Sequence, residues 1–292
     1  ADLPEGEWLV GLQLQDEDLA ERRLPTRTEL DAACADRPTL VVEHDGHSAA
    51  GNSLALAAAG IDAGTADPPG GRIERAADGS PLGPCFEAAA QRLLGAAPPP
   101  SLERLREGAR TTFARLPAFG ITSAGVVLQT DAEGPAGAAG SLESIALQVL
   151  LDEVPFSTYA ILVGRSVDAA IALRATPLHE PAAGRRVGGF KIFSDGTFGS
   201  CTACMHEPFS DRPGERGFLT LDEDEILARM RAAHAVAFQI CVHAIGDRAV
   251  ERCIDLYERL LAESPRRDHR HRIEHASIVA PEQIARLARL GL

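Results

Sequence analysis

The chain has 292 residues, 45% of them apolar, a net charge of −13 and six cysteines. That length suits one α/β barrel or two ordinary domains, and the apolar share is ample for a large core. The acidic balance, with no Lys/Arg run, excludes a nucleic-acid footprint, and no apolar run reaches the roughly eighteen residues that would suggest a membrane span.

Cys34, Cys85, Cys201, Cys204, Cys241 and Cys253 are too sparse for a disulfide framework. They read as reduced thiols, which points to the cytoplasm. The chain opens at Ala1 without Met and closes at Leu290-Gly-Leu292 just past a predicted helix, so both ends are expected to be cuts within something longer.

Residues 1–100 are rich in Ala, Gly and Pro. Within them 39–44 reads as a strand and 52–59 as a helix stopped by Gly60. The tract 63–84 is dense in turn formers without periodicity and is expected to be irregular surface. Pro98-Pro-Pro100 closes this region, and Ser101 offers an N-cap to a helix through about Leu116, ended by Pro117.

From there strand and helix alternate. Strand-like 120–128 precedes a helix over 141–151, and strand 154–162 precedes a helix capped by Ser166. Next comes Val187-Gly-Gly-Phe-Lys-Ile-Phe-Ser-Asp-Gly-Thr-Phe-Gly-Ser200, a buried strand running into a glycine-rich loop. Thr220 and Glu223 have capping-box spacing before a helix to about Val236. Strand 238–243 leads to a helix over 247–263 with Val250, Ile254, Tyr257 and Leu261 on one face. Strand 272–275 follows, and Pro281 sits in the first turn of the last helix. Five β-α units with near-continuous apolar strands imply a parallel sheet covered by helices, either doubly wound or part of an eight-stranded barrel. No Gly-x-Gly-x-x-Gly opens a helix after a strand, which weakens a dinucleotide-binding version.

Lys191 is the only lysine; all the other counted basic residues are arginine. Within an apolar strand it can do what arginine cannot: lose its proton, act as a nucleophile, or take up carbon dioxide as an anionic carbamate. Lys191, His243 and His275 each fall at the carboxyl end of a different predicted strand, where parallel α/β folds assemble their sites. Imidazole suits zinc and a carbamylated lysine adds oxygen ligands, so the trio reads as a metal-site pattern. Alternation puts Lys191 on one face with Phe193 and Asp195, places His243 with Cys241, and turns Glu274 away. His269-Arg-His271 has His-x-His spacing but leads into the last strand and reads as surface. Cys201-Thr-Ala-Cys204 has zinc-ribbon spacing without a second pair and reads as loop. No Gly-x-Ser-x-Gly elbow supports a serine hydrolase.

His243-Ala-Ile-Gly-Asp-Arg-Ala249, Arg272-Ile-Glu-His-Ala276 and Phe190-Lys-Ile-Phe-Ser-Asp-Gly-Thr-Phe-Gly-Ser200 resemble the strand-end motifs of metal-dependent amidohydrolases. The resemblance is to the family 3 branch that includes N-substituted formamide deformylase. Leu24-Pro-Thr-Arg-Thr-Glu-Leu-Asp31, Asp45-Gly-His47, Asn52-Ser-Leu-Ala-Leu56 and Ala59-Gly-Ile61 are similar to that branch's insertion. The resemblance implies a partial (β/α)8 TIM-type barrel, about strands 2–6, in residues 101–292. Residues 1–100 would be a long insertion, or lid, before strand 2.

It further implies Lys191 as a carbamylated metal bridge, His243 and His275 as metal ligands, and zinc as the cofactor, one ion or two. The reaction implied is hydrolysis of a non-peptide C–N bond in a small amide or formamide by a metal-activated water. His47 and Asn52, in the insertion, and Asp195, after the lysine strand, are candidate substrate contacts; turn, cap and loop-ordering roles stay open for them. A homodimer is left open. The family's first-strand His-x-His pair, its late-strand aspartate, strands 7–8 and its β-sandwich have no counterpart in these residues. The piece by itself is therefore expected to bind metal weakly and turn nothing over, because affinity depends on ligand count. Two rival readings stand beside this one: a binding or regulatory protein that keeps the barrel without the metal, and a Schiff-base lyase using Lys191.

Overall fold

The computed structural model describes residues 7–131, 140 and 143–292. They fall into two compact units. The first runs to Pro98 and takes in Asp195–Leu221; the second starts at Pro99, runs to Ser194, and resumes over Asp222–Leu292. The first division falls at Pro98–Pro99. The return of Asp195–Leu221 to the first unit has no sequence signal, because it depends on side-chain bonds made across a hundred residues or more.

In the first unit, strands β1 (Leu9–Leu14), β2 (Thr39–Glu43), β3 (Ser48–Gly51), β4 (Gly71–Arg75) and β5 (Pro81–Glu87) form one sheet in the order β1-β2-β3-β5-β4. β1 runs parallel to β2, and the other pairings are antiparallel. Helix α1 (Arg27–Ala33) starts at a capping box between Thr26 and Glu29. Helices α2 (Ser53–Ala58) and α3 (Ala88–Leu94) help bury a core of Leu40, Val42, Leu56, Ile73, Cys85 and Leu93.

The expectation of irregular structure over 63–84 is corrected here: β4 and the start of β5 lie in it. Gly71, Pro81, Gly83 and Pro84 break the alternation on which a strand is recognised. Burial of Ile73 opposite Cys85 in register outweighs that poor local propensity. An isoleucine taken out of water contributes about 2 kcal/mol, more than β-propensity differences of about 1 kcal/mol.

In the second unit, helix α4 (Leu102–Arg115) precedes strands β6 (Ser123–Gln129), β7 (Ser157–Val163), β8 (Arg185–Phe193), β9 (Gln239–Ala244) and β10 (Arg272–His275). The order in the sheet is β10-β9-β8-β7-β6, and every pairing is parallel. Helices α5 (Glu143–Val149), α6 (Val167–Leu173), α7 (Glu223–Ala235) and α8 (Asp247–Glu263) make the crossovers, and α9 (Pro281–Leu290) follows β10.

Strand order follows sequence order without reversal, so right-handed crossovers put every connecting helix on one face. That is half of a curled, barrel-type sheet. A doubly wound sheet would reverse direction at a switch point. The helix-covered face is apolar: Leu162, Phe190 and Ile240 stand side by side, and Ile192 pairs Val242, all of them buried. Ser101 caps α4 as read, but α7 is capped by Asp222, whose side chain accepts from Glu225 N at 2.7 Å, instead of by Thr220. The six cysteines are free thiols, five of them buried. Among the described residues, no helix is long and apolar enough to cross a membrane.

Candidate metal centre

The other face of the parallel sheet carries the polar groups. Register aligns Gln129, Val163, Lys191, Cys241 and Arg272 in one row across the five strands. One step nearer the carboxyl ends, Phe193, His243 and Glu274 form a second row. β8 and β9 are pinned at that level, because Ser194 N and Oγ both donate to the His243 carbonyl, at 3.1 and 2.5 Å.

His275 reaches this site by a backbone break. In register it pairs with Ala244, on the helix-covered side, yet its φ is +71° and its ring centroid lies 4.7 Å from that of His243. A left-handed conformation at a residue with a Cβ costs on the order of 1–3 kcal/mol and clusters at functional sites. The same break corrects the reading of Glu274. Alternation counted back from His275 turns Glu274 away only if the His275 side chain follows the strand pattern. With His275 out of the strand pattern, Glu274 shares the row of His243, and its Oε1 accepts from Arg272 Nε at 2.7 Å.

Lys191 is 8% exposed, and burial lowers its amine below the ordinary lysine value; Glu274 and Cys241 oppose the shift and Arg272 adds to it. Its Nζ lies over the Phe193 ring, 5.0 Å from the centroid, a contact that favours the charged form. Cys241, fully buried beside it, has its thiol pushed up to about 11 by desolvation, so it is not a thiolate ligand at neutral pH. Cys241, Arg272 and Glu274 are the site residues that sequence reading left unassigned or turned away. Their rows are set by the register between neighbouring strands, which no single strand's sequence carries.

His269 and His271 are not surface residues, as their spacing had suggested. They are 6% and 2% exposed and, with His234, form a closed network at the opposite, amino end of the sheet. His271 Nδ1 accepts from Ile240 N at 3.0 Å, so its proton is on Nε2 and is donated to His234 Nδ1 at 2.8 Å. His269 Nδ1 accepts from His271 N and its Nε2 donates to the Leu290 carbonyl, both at 2.9 Å. Tyr257 stacks on His271. Burial, His269 and Arg266 together hold the His271 imidazole down at about 3.

The three expected substrate contacts lie in the first unit. Asn52 is fully buried and saturated: its Oδ1 accepts from Thr39 N and Ala55 N, and its Nδ2 donates to the carbonyls of Cys34 and Arg37, all at 2.9–3.0 Å. It is the N-cap of α2. Asp195 is also fully buried, bridges to Leu219, and accepts from Cys204 N at 2.9 Å, which orders the loop containing Cys201 and Cys204. His47 is 9% exposed and its Nδ1 is 2.9 Å from Glu87 Oε2.

The donor chemistry can be tested against a divalent ion. Two imidazoles meet at adjacent strand ends, and the third donor on that face is a lysine whose charge burial disfavours. Among the described residues, no three His, Cys, Asp or Glu side chains converge as a complete cage. The set therefore fits a metal if Lys191 contributes oxygen as a carbamate.

A family model described as the amidohydrolase family matches residues 1–292, the full chain. The chain belongs to the amidohydrolase family. It is 31% identical over 297 residues to the protein YtcJ of Bacillus subtilis (strain 168), covering 99% of this chain and 53% of that one. It is 28% identical over 299 residues to N-substituted formamide deformylase of Arthrobacter pascens, covering 99% and 53%. The amidohydrolase-family chain thus spans about half the length of the curated relatives it matches. A solved structure, an uncharacterized metal-dependent hydrolase from Pyrococcus horikoshii OT3, superposes with a TM-score of 0.62 at 21% identity, covering 98% of this chain and 53% of that one. At that identity the likeness shows a shared fold.

Proposed function

We propose that these residues form the central part of a metal-dependent hydrolase that cleaves non-peptide C–N bonds of small amides or formamides, on a (β/α)8 barrel of which β6–β10 would be strands 2–6. Lys191, as its carbamate, His243 and His275 would hold zinc. The observation that carries the reading is the meeting of the His243 and His275 rings, 4.7 Å apart, on the strand-end face that also bears Lys191. The family's deformylase relative supports the substrate class.

A divalent cation held there supplies Lewis acidity, lowering the pKa of a water and polarising a carbonyl oxygen. The chain's own residues prepare the place. The rigid β8–β9 rim fixes His243, the left-handed turn at His275 brings the second imidazole to it, and burial biases Lys191 towards the neutral amine that can react with carbon dioxide. Arg272 keeps Glu274 paired beside them. Of the three expected substrate contacts, we retain His47, which a carboxylate orients, and read Asn52 and Asp195 as structural.

The test is formate or amine release from a series of N-alkyl formamides by the full-length protein, with metal content measured in parallel. We expect bound divalent metal and turnover, both lost on Lys191→Met. A full-length protein that stays folded and metal-free at saturating zinc, with no turnover, overturns the reading. That result would favour a binding or regulatory protein on the same fold.

A further inference from the structure

Glu87 joins three separate pieces of the first unit. It ends β5 and precedes α3, is 4% exposed, and has φ +51° and ψ −123°, a conformation costly for any residue with a Cβ. Its N–H donates to the His47 carbonyl at 2.8 Å, closing the β3–β5 pairing. One carboxylate oxygen, Oε2, faces His47 Nδ1 at 2.9 Å, and the other, Oε1, accepts from Thr202 Oγ1 at 2.6 Å.

The proton directions follow from what each group can do. An ionised carboxylate only accepts, so His47 Nδ1 must carry its proton whether the ring is neutral or charged. Thr202 gives its one proton to Glu87, and Thr197 gives its own to Asp45 Oδ2 at 2.6 Å. Ser200 Oγ lies between them, 2.7 Å from Thr197 Oγ1 and 2.8 Å from Thr202 Oγ1, with one proton for two acceptors. The hydroxyl chain therefore points outward at both ends onto carboxylates. It ties the loop that leaves the lysine strand to the Asp45–His47 turn. The fit is close: a Cβ on Gly196 would sit 1.9 Å from Thr202 Oγ1 and 2.1 Å from Glu87 Oε1, so only glycine lets this loop dock.

A strained, buried carboxylate with both oxygens engaged is poorly explained as a helix start, since its side chain caps nothing in α3. We propose that Glu87 is a positioning residue, which holds the His47 imidazole protonated on Nδ1 and clamps the loop Gly196–Thr202 beside it through Thr202. The consequence for catalysis rests on the reading of His47 as a substrate contact; the positioning itself does not.

The experiment uses the full-length protein and nitrogen-resolved NMR of the His47 ring, with steady-state kinetics on an N-alkyl formamide. Glu87→Ala should release the Nδ1 proton constraint, shifting His47 towards the Nε2–H tautomer, and raise KM about tenfold or more with a smaller change in kcat, as expected for loss of a hydrogen bond to a charged group. Glu87→Gln, whose amide oxygen still accepts, should restore much of the Nδ1–H signature and guards against a misfolded alanine variant. Thr202→Val should leave the His47 signals in place but speed amide exchange over Gly196–Thr202 about tenfold. Unchanged His47 nitrogen signals in Glu87→Ala overturn the proposal. A changed signature with unchanged KM upholds the positioning and instead sinks His47 as a substrate contact.

Discussion

The parallel sheet of the second unit carries a histidine cluster at each end, and the two are built on opposite rules. At the amino end, His234, His269 and His271 bond to one another, to Ile240 N and to the Leu290 carbonyl, in one set of tautomers. At the carboxyl end, His243 and His275 meet edge to face beside a buried lysine, and a strained residue is needed to bring them together. A network whose donors and acceptors match stabilises the fold and has little capacity left for a ligand. A pair that the backbone strains to assemble is where a ligand is expected to repay the cost. The same side chain serves both ends; a matched set of hydrogen bonds marks one, and a left-handed backbone at His275 marks the other.

Substitution should separate the two clusters most sharply. In the full-length protein, His243→Ala should cost at least about 100-fold in metal affinity or turnover, since even the outer partners of metal ligands are worth 10–100-fold. Its melting temperature in the presence of chelator should change little by comparison. His271→Ala should do the reverse, leaving metal affinity within about twofold while unfolding by denaturant shows a loss of about 3 kcal/mol, from stranded donors and a cavity. Equal effects of both variants on metal binding would erase the distinction.

Acidity should act mainly on the amino-end cluster. His271 has a folded-state value of about 3 against an ordinary 6.5, so the unfolded chain binds its proton first. Its contribution is complete above about pH 6.5 and is lost as pH falls towards 3, so stability rises with pH across that window. Glu43 in the first unit has the opposite sign. Burial raises it to about 7 from 4.5 against the opposing bond from Ser48, so its contribution is complete below pH 4.5 and lost as pH rises through 7. Glu43→Gln should flatten the alkaline side of the stability–pH curve and His271→Ala the acid side. Both are read from chemical unfolding at pH 4, 6 and 8, and a variant that moves the wrong side contradicts the assignment.

Smaller effects are expected where polar groups serve structure alone. Asn52→Ala should cost about 2 kcal/mol, from a lost cap and two stranded carbonyls, with KM for any substrate unchanged. A raised KM at full stability would return Asn52 to the substrate site. Arg286, which links α9 to Asp255 and Glu258 of α8, is partly exposed, and Arg286→Met should cost about 1 kcal/mol or less in the same unfolding experiment.

The α/β alternation, the placement of Lys191, His243 and His275 at strand ends, and the N-cap at Ser101 were legible in the sequence because each rests on local pattern. Helix α8 was read at its observed bounds, since a long amphipathic face and a clear stop leave little freedom. Three things were not legible. The β4–β5 hairpin hid behind glycines and prolines whose cost is met by burial of Ile73 and Cys85. Glu274 was turned away because a left-handed φ at His275 cannot be seen in a string of letters. His269 and His271 looked exposed because their neighbours are Arg and Asp, while their partners Ile240, His234 and Leu290 are distant in sequence.

Lys191 decides the account. The most direct measurement is native mass spectrometry of the full-length protein prepared with zinc and bicarbonate, with peptide mapping across residues 187–200. The account predicts bound zinc and the added mass of one carbon dioxide on Lys191, both absent from Lys191→Met. A folded, zinc-saturated protein with an unmodified Lys191 and full hydrolase activity would contradict it.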